Sequence, residues 1–222
     1  METANDNLLD QSQFMINEKT FSIATNNVQG LSEPVKQAQI MTYVMDSKFD
    51  IFGLAETKLK SCTAELLYKN HPSYLSWWGC SEDHTDSTGV GLIFHRHVAQ
   101  YIQSVRHYKG RVIYAKLFMK GKFKLCIIQV YIQAHHRNKT EKLESYKYII
   151  DLINQCRKDN CEVIIMGDFN VDPEELGKLD CSNSRSIHWK YKLIRKLQSN
   201  HFIDLSLYSY NPPLPTWSVL MF

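Results

Sequence analysis

The clearest chemical motif in this sequence is an apolar run that ends in a carboxylate and an amide. Residues 163–166 are Val-Ile-Ile-Met, and they lead through Gly167 to Asp168, Phe169 and Asn170. A short run of β-branched residues is typical of a strand buried on both faces, and glycine permits a sharp change of direction. Asp, Asn and Gly also end strands for structural reasons alone, so by itself this motif fits a turn better than a site.

Three other apolar runs also end on polar side chains. Residues 20–28 end near Asn27, residues 50–55 are followed by Glu56, and residues 123–130 are followed by Tyr131. If these strand ends share one edge with Asp168 and Asn170, that edge carries a metal-binding carboxylate, a second carboxylate that can orient a water, and amide and phenol donors. We expect the carboxylates of Glu56 and Asp168 to lie about 5–8 Å apart, close enough to share one metal and its water shell.

This set of side chains suits one kind of chemistry. Carboxylate and amide oxygens favour a hard cation, Mg²⁺ with Mn²⁺ as the alternative, bound by few protein oxygens and completed by water and a phosphate. The reaction that such a site favours is hydrolysis of a phosphate ester by an in-line water.

The elements that must position these residues are a mixture of long helices and hairpins. One helix is expected to begin at Ser32-Glu-Pro and to bury a stripe of Val35, Ala38, Met41 and Met45. A second should begin at the capping box of residues 138–141 and reach about residue 158, and a third should span residues 187–197.

Residues 111–131 predict a β-hairpin with Lys120 and Gly121 in its turn, and all of residues 89–131 are expected to form adjacent antiparallel strands. Helices in part and hairpins in part favour the α/β class. We expect two sheets packed face to face with helices outside, an α/β sandwich.

Composition favours a single intracellular domain. With 222 residues, 44% hydrophobic and 12% aromatic, the chain can bury a sizeable core, and its charge of +3 permits a polyanionic partner without identifying one. Six cysteines without a CxxC pair indicate reduced core thiols. The polar start is unlike a secretory signal, and no apolar run reaches membrane-spanning length. We therefore expect a nuclear or cytoplasmic protein without a membrane partner, with a flexible tail over residues 1–19 and one domain over residues 20–222.

Four short motifs, taken in order, resemble the endonuclease/exonuclease/phosphatase superfamily, which has the DNase I-like fold. They are Asn27-Val-Gln-Gly-Leu, Leu54-Ala-Glu-Thr, Gln129-Val-Tyr and Gly167-Asp-Phe-Asn. Gly89-Val-Gly-Leu, Gly110-Arg-Val-Ile and Pro215-Thr-Trp are most similar to the endonuclease domain of LINE-type retrotransposons. The resemblance covers about residues 20–218. It implies a four-layer DNase I-like sandwich, dependence on Mg²⁺, and DNA as the partner.

The resemblance also implies a role for each matching residue. Glu56 is similar to the family's metal-binding glutamate, and Asn27 to the asparagine near the metal and the phosphate. Tyr131 corresponds to the tyrosine that contacts the scissile phosphate. Asp168 and Asn170 correspond to the pair that positions or activates the attacking water.

The resemblance is incomplete in two places. Gln29 stands where relatives often carry Asn or Asp. Thr216 matches a threonine with a structural or a DNA-contacting role, but the family continues beyond it with a Ser-x-Ile-Asp strand and a Ser-Asp-His, which supply a second metal carboxylate and the active-site histidine. This sequence ends at Phe222 instead, so we expect a truncated domain that is weakened or inactive. Four histidines that flank strands are expected at the surface: His95, His97, His135 and His136.

Two alternatives remain open from the sequence. One is a phosphatase or phospholipase of the same superfamily that acts on a small or lipid phosphoester, which the shared motifs do not exclude. The other is a non-catalytic remnant that binds nucleic acid weakly. Basic and aromatic residues interleave over residues 106–111, as on a surface that tracks a phosphate backbone, although a solvated hairpin edge explains them slightly better.

Overall fold

The fold contains two pairs of parallel strands within the described ranges, and a helix connects the strands of each pair. The computed structural model describes residues 21–81, 88–133, 139–171, 189–204 and 218–221. Several sequence predictions lie outside the described residues: the tail of residues 1–19, His135, His136 and Thr216.

The first parallel pair belongs to a four-stranded sheet. Strand β1 (Ile23–Asn27) runs parallel to β2 (Ile51–Ala55), and helix α1 (Pro34–Asp46) connects them. After the short helix α2 (Ser61–Ala64) come β3 (Tyr74–Gly79) and β4 (Val90–His95), which pair antiparallel in the sheet order β1-β2-β4-β3. Strand β2 is buried along its whole length, as expected for a strand covered on both faces.

The second parallel pair lies in a six-stranded sheet. Helix α3 (Arg96–Ala99) leads to β5 (Ile102–Tyr108), and β6 (Val112–Phe118) and β7 (Lys124–Tyr131) form a hairpin with a single 3-10 turn at Lys120–Lys122. Helix α4 (Lys139–Lys158) connects β7 to the parallel β8 (Glu162–Asp168). A 3-10 turn at Trp189–Tyr191 then precedes α5 (Lys192–Ser199), β9 (Ile203–Asp204) and β10 (Ser218–Met221), and the sheet order is β5-β6-β7-β8-β10-β9.

Three apolar clusters hold four layers together. Side chains such as Phe94 and Ile127 fill the space between the two sheets. Met41 and Val44 of α1 cover the outer face of the four-stranded sheet, and Ile149 of α4 lies in the cluster that covers the outer face of the six-stranded sheet. The predicted fold class, a two-sheet α/β sandwich with helices outside, is therefore confirmed. Of the helices in the described ranges, none is long and apolar enough to cross a membrane.

The apolar stripe predicted for α1 is largely wrong. Met41 is buried as predicted, but Val35, Ala38 and Met45 are exposed, and Val44 is buried instead. The prediction used every apolar residue at roughly helical spacing. A helix that covers one sheet buries only the stripe that faces the sheet, and the position of the sheet sets that stripe.

The prediction of adjacent antiparallel strands across residues 89–131 holds only for part of that range. Strands β5, β6 and β7 are adjacent and antiparallel, with Lys120 and Gly121 in the hairpin turn. Strand β4 pairs with β2 and β3 in the other sheet, and α3 carries the chain across. Alternating apolar residues identify a strand, but its partner depends on packing between distant segments.

Candidate active site

The carboxyl ends of both parallel strand pairs meet at one edge of the sandwich. Asn27 ends β1 in register with Ala55, the residue before Glu56. Tyr131 ends β7 in register with Asp168 at the end of β8. Parallel strands point their carboxyl ends in the same direction. Each connecting helix returns the chain to the start of the second strand, and the second strand then ends with its own polar residue at the same edge.

The side-chain amide of Asn27 joins two carboxylates from different sheets. Its Nδ2 donates to Glu56 Oε2 at 3.1 Å and to Asp168 Oδ2 at 2.7 Å. Its Oδ1 accepts the backbone N–H of Gln29 at 2.9 Å, which fixes the orientation of the amide. Because both carboxylate oxygens accept hydrogen bonds from the same nitrogen, the distance between them cannot exceed the sum of the two hydrogen-bond lengths. Glu56 and Asp168 are therefore within reach of a single metal ion and its water shell.

Asp168 and Asn170 form a tight turn after β8. The N–H of Asn170 donates to Asp168 Oδ1 at 2.9 Å, and Asn170 Nδ2 donates to the Ile132 carbonyl at 2.6 Å. Asn170 has a φ of 48°, in the left-handed region that asparagine tolerates better than most residues. Both oxygens of Asp168 accept hydrogen bonds, so its carboxylate is held in one position.

Gly167 is required for a reason different from the predicted change of direction. The chain remains a strand through Asp168, and Gly167 has a φ of 129° inside it. A Cβ at this position would lie 2.0 Å from the carbonyl oxygen of Val130 on β7. Glycine therefore permits the close approach of two strands just below Asp168.

A ladder of backbone hydrogen bonds holds the loops that carry the site. The N–H of Gly30 donates to the Glu56 carbonyl at 2.7 Å, the N–H of Thr57 to the Gly89 carbonyl at 3.1 Å, and the N–H of Gly89 to the Gly110 carbonyl at 2.9 Å. A Cβ on Gly89, whose φ is 107°, would lie 2.2 Å from Thr57 Oγ1. Glu56 itself has a φ of 56°. Such strained backbone persists where its surroundings over-determine it, which is common at functional sites.

Lys58 is a site residue that sequence reasoning missed. Its Nζ lies 2.9 Å from Glu56 Oε1. Burial raises the pKa of the Glu56 carboxyl, but hydrogen bonds from Lys58 and Asn27 and the charge of Lys58 outweigh it and lower the pKa below its usual value. Both Glu56 and Lys58 have positive φ, at 56° and 53°, so the segment is not an extended strand in which alternate residues share a face, and no pattern in the sequence indicated this pair.

The pKa of Asp168 moves in the opposite direction. Burial raises it above its usual value, and the charge of Glu56 adds to this, while hydrogen bonds from Asn27 and Asn170 oppose the rise. Glu56 therefore stays ionised more readily and Asp168 takes up a proton more readily. Two carboxylates separated in this way can divide the work, one binding a cation and the other exchanging a proton.

A buried arginine lies behind Tyr131. Arg111 is 2% exposed, its guanidinium carbon is 5.4 Å from the centre of the Tyr131 ring, and its Nε is 3.3 Å from Glu141 Oε1 on α4. Burial raises the pKa of the Tyr131 hydroxyl, and the charge of the nearby Glu56 carboxylate and hydrogen bonding with it raise this pKa further. Tyr131 is therefore a protonated donor at the edge. The motif Gly110-Arg-Val-Ile contained Arg111, but a sequence does not show that the arginine is buried.

The oxygen donors at this edge fit the predicted divalent cation. Within the described ranges, no group of three or more His, Cys, Asp or Glu side chains could hold a metal ion by itself. Glu56 and Asp168 offer few protein oxygens, and Mg²⁺ is commonly held by one or two carboxylates while water and phosphate complete the octahedron. The Asn27 amide turns its Nδ2 toward these carboxylates, while its Oδ1, the atom through which it was predicted to bind metal, accepts the Gln29 N–H. The ammonium of Lys58 beside Glu56 shows that this carboxylate already attracts a positive charge.

His95 and His97 lie at the opposite edge of the sandwich from Glu56. His95 ends β4, which runs antiparallel to β2, and its register places it near the start of β2. His97 is exposed, and its Nε2 lies 2.9 Å from Asp50 Oδ1, just before β2. These two histidines therefore do not contribute to the cluster around Asn27.

Comparisons with known proteins agree with this geometry. The sequence matches the profile of the Endonuclease/Exonuclease/phosphatase family over residues 24–219. A comparison with curated protein sequences gives no match.

Three solved structures illustrate the shared fold. A 3' phosphatase, NExo, from Neisseria, bound to a product DNA hairpin, aligns with a TM-score of 0.64 at 17% identity and covers 91% of this chain and 86% of its own. An AP endonuclease from Archaeoglobus fulgidus aligns with a TM-score of 0.65 at 16% identity, and the alignment covers 91% of this chain and 86% of that protein. A humanized D. rerio TDP2 aligns with a TM-score of 0.55 at 14% identity, and the alignment covers 90% of this chain and 82% of that protein. At these identities the similarity shows the fold alone.

Proposed function

Because the chain belongs to the endonuclease/exonuclease/phosphatase family, we propose that it is a Mg²⁺-dependent phosphodiester hydrolase that acts on DNA, of the kind found in LINE-type retrotransposons. The observation that carries the hydrolase proposal is the Asn27 amide, which holds Glu56 and Asp168 together across two sheets. The motifs Gly89-Val-Gly-Leu and Gly110-Arg-Val-Ile support the retrotransposon type, because they resemble that group most.

Each residue of the cluster has one task in this proposal. Glu56, whose pKa is lowered, holds the divalent cation, and Asn27 fixes the carboxylates around it. Asp168, whose pKa is raised, accepts a proton from the attacking water, and Asn170 holds Asp168 and that water in place. Tyr131 donates its hydroxyl proton toward a phosphate oxygen. When bound, Mg²⁺ supplies charge neutralisation at the phosphate.

Hydrolysis by this chain is expected to be slow. Within the described ranges, no histidine is among the hydrogen-bond partners of Asn27, Glu56 or Asp168. A positioned acid or base commonly contributes about 10²–10⁴ in rate. We therefore expect a rate lower by about that factor than in relatives that carry a histidine at the reacting phosphate.

A second candidate is hydrolysis of a terminal phosphate. The Neisseria protein with the same fold is a 3' phosphatase, and a site built around the carboxylates of Glu56 and Asp168 suits a bridging and a terminal phosphate alike. A DNA 3'-phosphate and a soluble or lipid phosphoester therefore belong among the test substrates.

The test is single-turnover cleavage with protein in excess over substrate. Supercoiled plasmid, duplex DNA with one abasic site, a 3'-phosphorylated hairpin and a phospholipid are each incubated with the chain in Mg²⁺ and in EDTA. We expect slow nicking of DNA in Mg²⁺ and none in EDTA. Faster release of phosphate from the hairpin, or turnover of the phospholipid, would favour the second candidate.

Two variants make this test specific. A double variant, Glu56→Ala with Asp168→Ala, is expected to reduce nicking to background. Glu144→Gln removes an exposed carboxylate that pairs with Lys109 and serves as the matched control. Nicking that is equal in the unmodified chain and the double variant would reject the proposed site.

A further inference from the structure

The tip of the β6–β7 hairpin exposes two aromatic rings beside lysines. Phe118 and Phe123 are 45% and 46% exposed, and Lys120 and Lys122 lie between them in the sequence and are exposed too. Most phenylalanines of a globular domain are buried, so two exposed rings within six residues are informative. The combination of apolar rings and positive charges indicates a surface for an anionic partner.

The charges at this tip are not neutralised by the protein. In the part of the chain that the structure describes, no carboxylate pairs with Lys120 or Lys122. The neighbouring Lys124 donates instead to the Asp159 carbonyl at 2.8 Å, and Lys116 pairs with the Asp159 carboxylate at 3.2 Å. The lysines at the base of the hairpin therefore serve the fold, and those at the tip are available.

The turn at the tip is closed by a backbone hydrogen bond, and its apex is open to solvent. The Met119 N–H donates to the Phe123 carbonyl at 2.8 Å and closes the turn, and Phe118 pairs in register with Lys124. Gly121, at the apex with a φ of 76°, would have nothing within 4 Å of an added Cβ. The two rings are therefore held on a fixed frame, and a ligand can approach the apex without obstruction.

We propose that this hairpin tip, residues 118–123, binds single-stranded nucleic acid. The phosphates pair with Lys120 and Lys122, and bases stack on Phe118 and Phe123, because every base has a face that an aromatic ring can stack on. An anionic membrane is less well matched. Each phenylalanine is more than half buried, which leaves surface for stacking but little to insert between lipids.

This tip is distinct from the candidate active site. Strand β7 runs from the tip to Tyr131, and its eight residues span about 25 Å at about 3.3 Å per residue. A strand bound at the tip is therefore not the stretch that would be cleaved at Glu56. The proposal goes beyond hydrolysis and does not depend on it, since the tip would bind in a chain that cleaves nothing.

The test is fluorescence anisotropy with the full chain and a labelled oligothymidylate of about twelve nucleotides, in EDTA at low salt. We expect Phe118→Ser with Phe123→Ser to weaken binding about tenfold or more, and Lys120→Glu with Lys122→Glu to do the same and flatten the salt dependence. The matched control, Leu66→Ser with Lys69→Glu, changes an exposed apolar residue and an exposed lysine away from the tip. It should leave binding within about twofold of that of the unmodified chain. Unchanged binding in both tip variants would overturn the proposal.

Two further arms complete the test. The tip substitutions should weaken binding by the same factor in a Glu56→Ala, Asp168→Ala background as in the unmodified chain, which separates this proposal from the catalytic one. Sedimentation with phosphatidylserine vesicles examines the other anionic surface. If the tip variants lose vesicle binding and keep oligonucleotide binding, the tip faces lipid and the proposal is wrong. If Phe118→Ser with Phe123→Ser melts early, the lysine variant alone decides.

Discussion

The Asn27 amide nitrogen lies 2.7 Å from Asp168 Oδ2, and this hydrogen bond joins the ends of two strands that belong to different sheets. The same nitrogen donates to Glu56 at 3.1 Å. A neutral donor between two carboxylates reduces their repulsion without consuming either charge. The edge can therefore hold two acidic groups close together while both remain able to act on a phosphate ester.

Asn27→Ala is expected to slow hydrolysis by about a hundredfold, because the carboxylates lose their shared donor and their fixed spacing. Single-turnover nicking and a thermal melt on the same preparation measure this. Gln37→Ala, which removes an amide that donates to the Leu31 carbonyl instead, is the control and should leave the rate unchanged. A slow Asn27→Ala chain with an intact melt supports the positioning role, and an unchanged rate contradicts it.

The two carboxylates should affect stability with opposite dependence on pH. The pKa of Asp168 is raised in the folded state. Its contribution to the stability of the fold is therefore present below the unfolded-state pKa and is lost as pH rises through the folded-state pKa. The folded pKa of Glu56 is lowered, so its contribution is present above the unfolded pKa and is lost as pH falls. In urea unfolding with EDTA, we therefore compare the free energy of unfolding of Asp168→Asn with that of the unmodified chain. The difference should favour the variant more at neutral pH than at acid pH.

Glu56→Gln should show the reverse trend in the same experiment. Its cost in the free energy of unfolding is expected to be largest near neutral pH and to shrink as Glu56 becomes protonated in the unmodified chain. Parallel trends in the two variants would show that the carboxylates are not separated as described.

Gly167→Ala should destabilise the fold far more than Gly121→Ala. Both glycines have positive φ, so backbone strain of about 1–3 kcal/mol applies to each. Only at Gly167 would the new Cβ meet a neighbouring backbone oxygen, at 2.0 Å, and we expect about 3 kcal/mol or more in total. Chemical denaturation of both variants measures the difference. Equal losses would mean that β7 and β8 do not approach closely below Asp168.

The cysteines should react in an order set by burial. Cys126, Cys156 and Cys161 are buried and Cys62 is exposed. Contact with the Cys126 thiol, together with burial, raises the pKa of Cys156 to about 12. Iodoacetamide should therefore label Cys62 in the folded chain and Cys156 only after unfolding, as read by mass spectrometry. Early labelling of Cys156 would contradict this core packing.

Local patterns in the sequence predicted the four strands that lead to the site, the two crossover helices and the polar residue at the end of each of these strands. Glu56 and Asp168 could be found because each follows a short apolar run, and parallel strands then bring such ends together. The pattern could not show that β4 joins the four-stranded sheet instead of pairing with β5. It also could not show that Val44, and not Val35, faces the four-stranded sheet. Those outcomes depend on contacts between distant segments. Lys58 and Arg111 were missed for a related reason, since their importance lies in what they touch.

Binding of a divalent cation is the most direct test of the central claim, that the edge around Asn27 is a metal-dependent hydrolase site. The measurement is titration of the metal-free chain with Mn²⁺ by calorimetry, followed by competition with Mg²⁺, on the unmodified protein, Glu56→Gln and the control Glu144→Gln. The account predicts one site in the unmodified chain and the control, displaced by Mg²⁺ and weakened about tenfold or more by Glu56→Gln. Equal binding by all three proteins, or no binding by the unmodified chain, would contradict it.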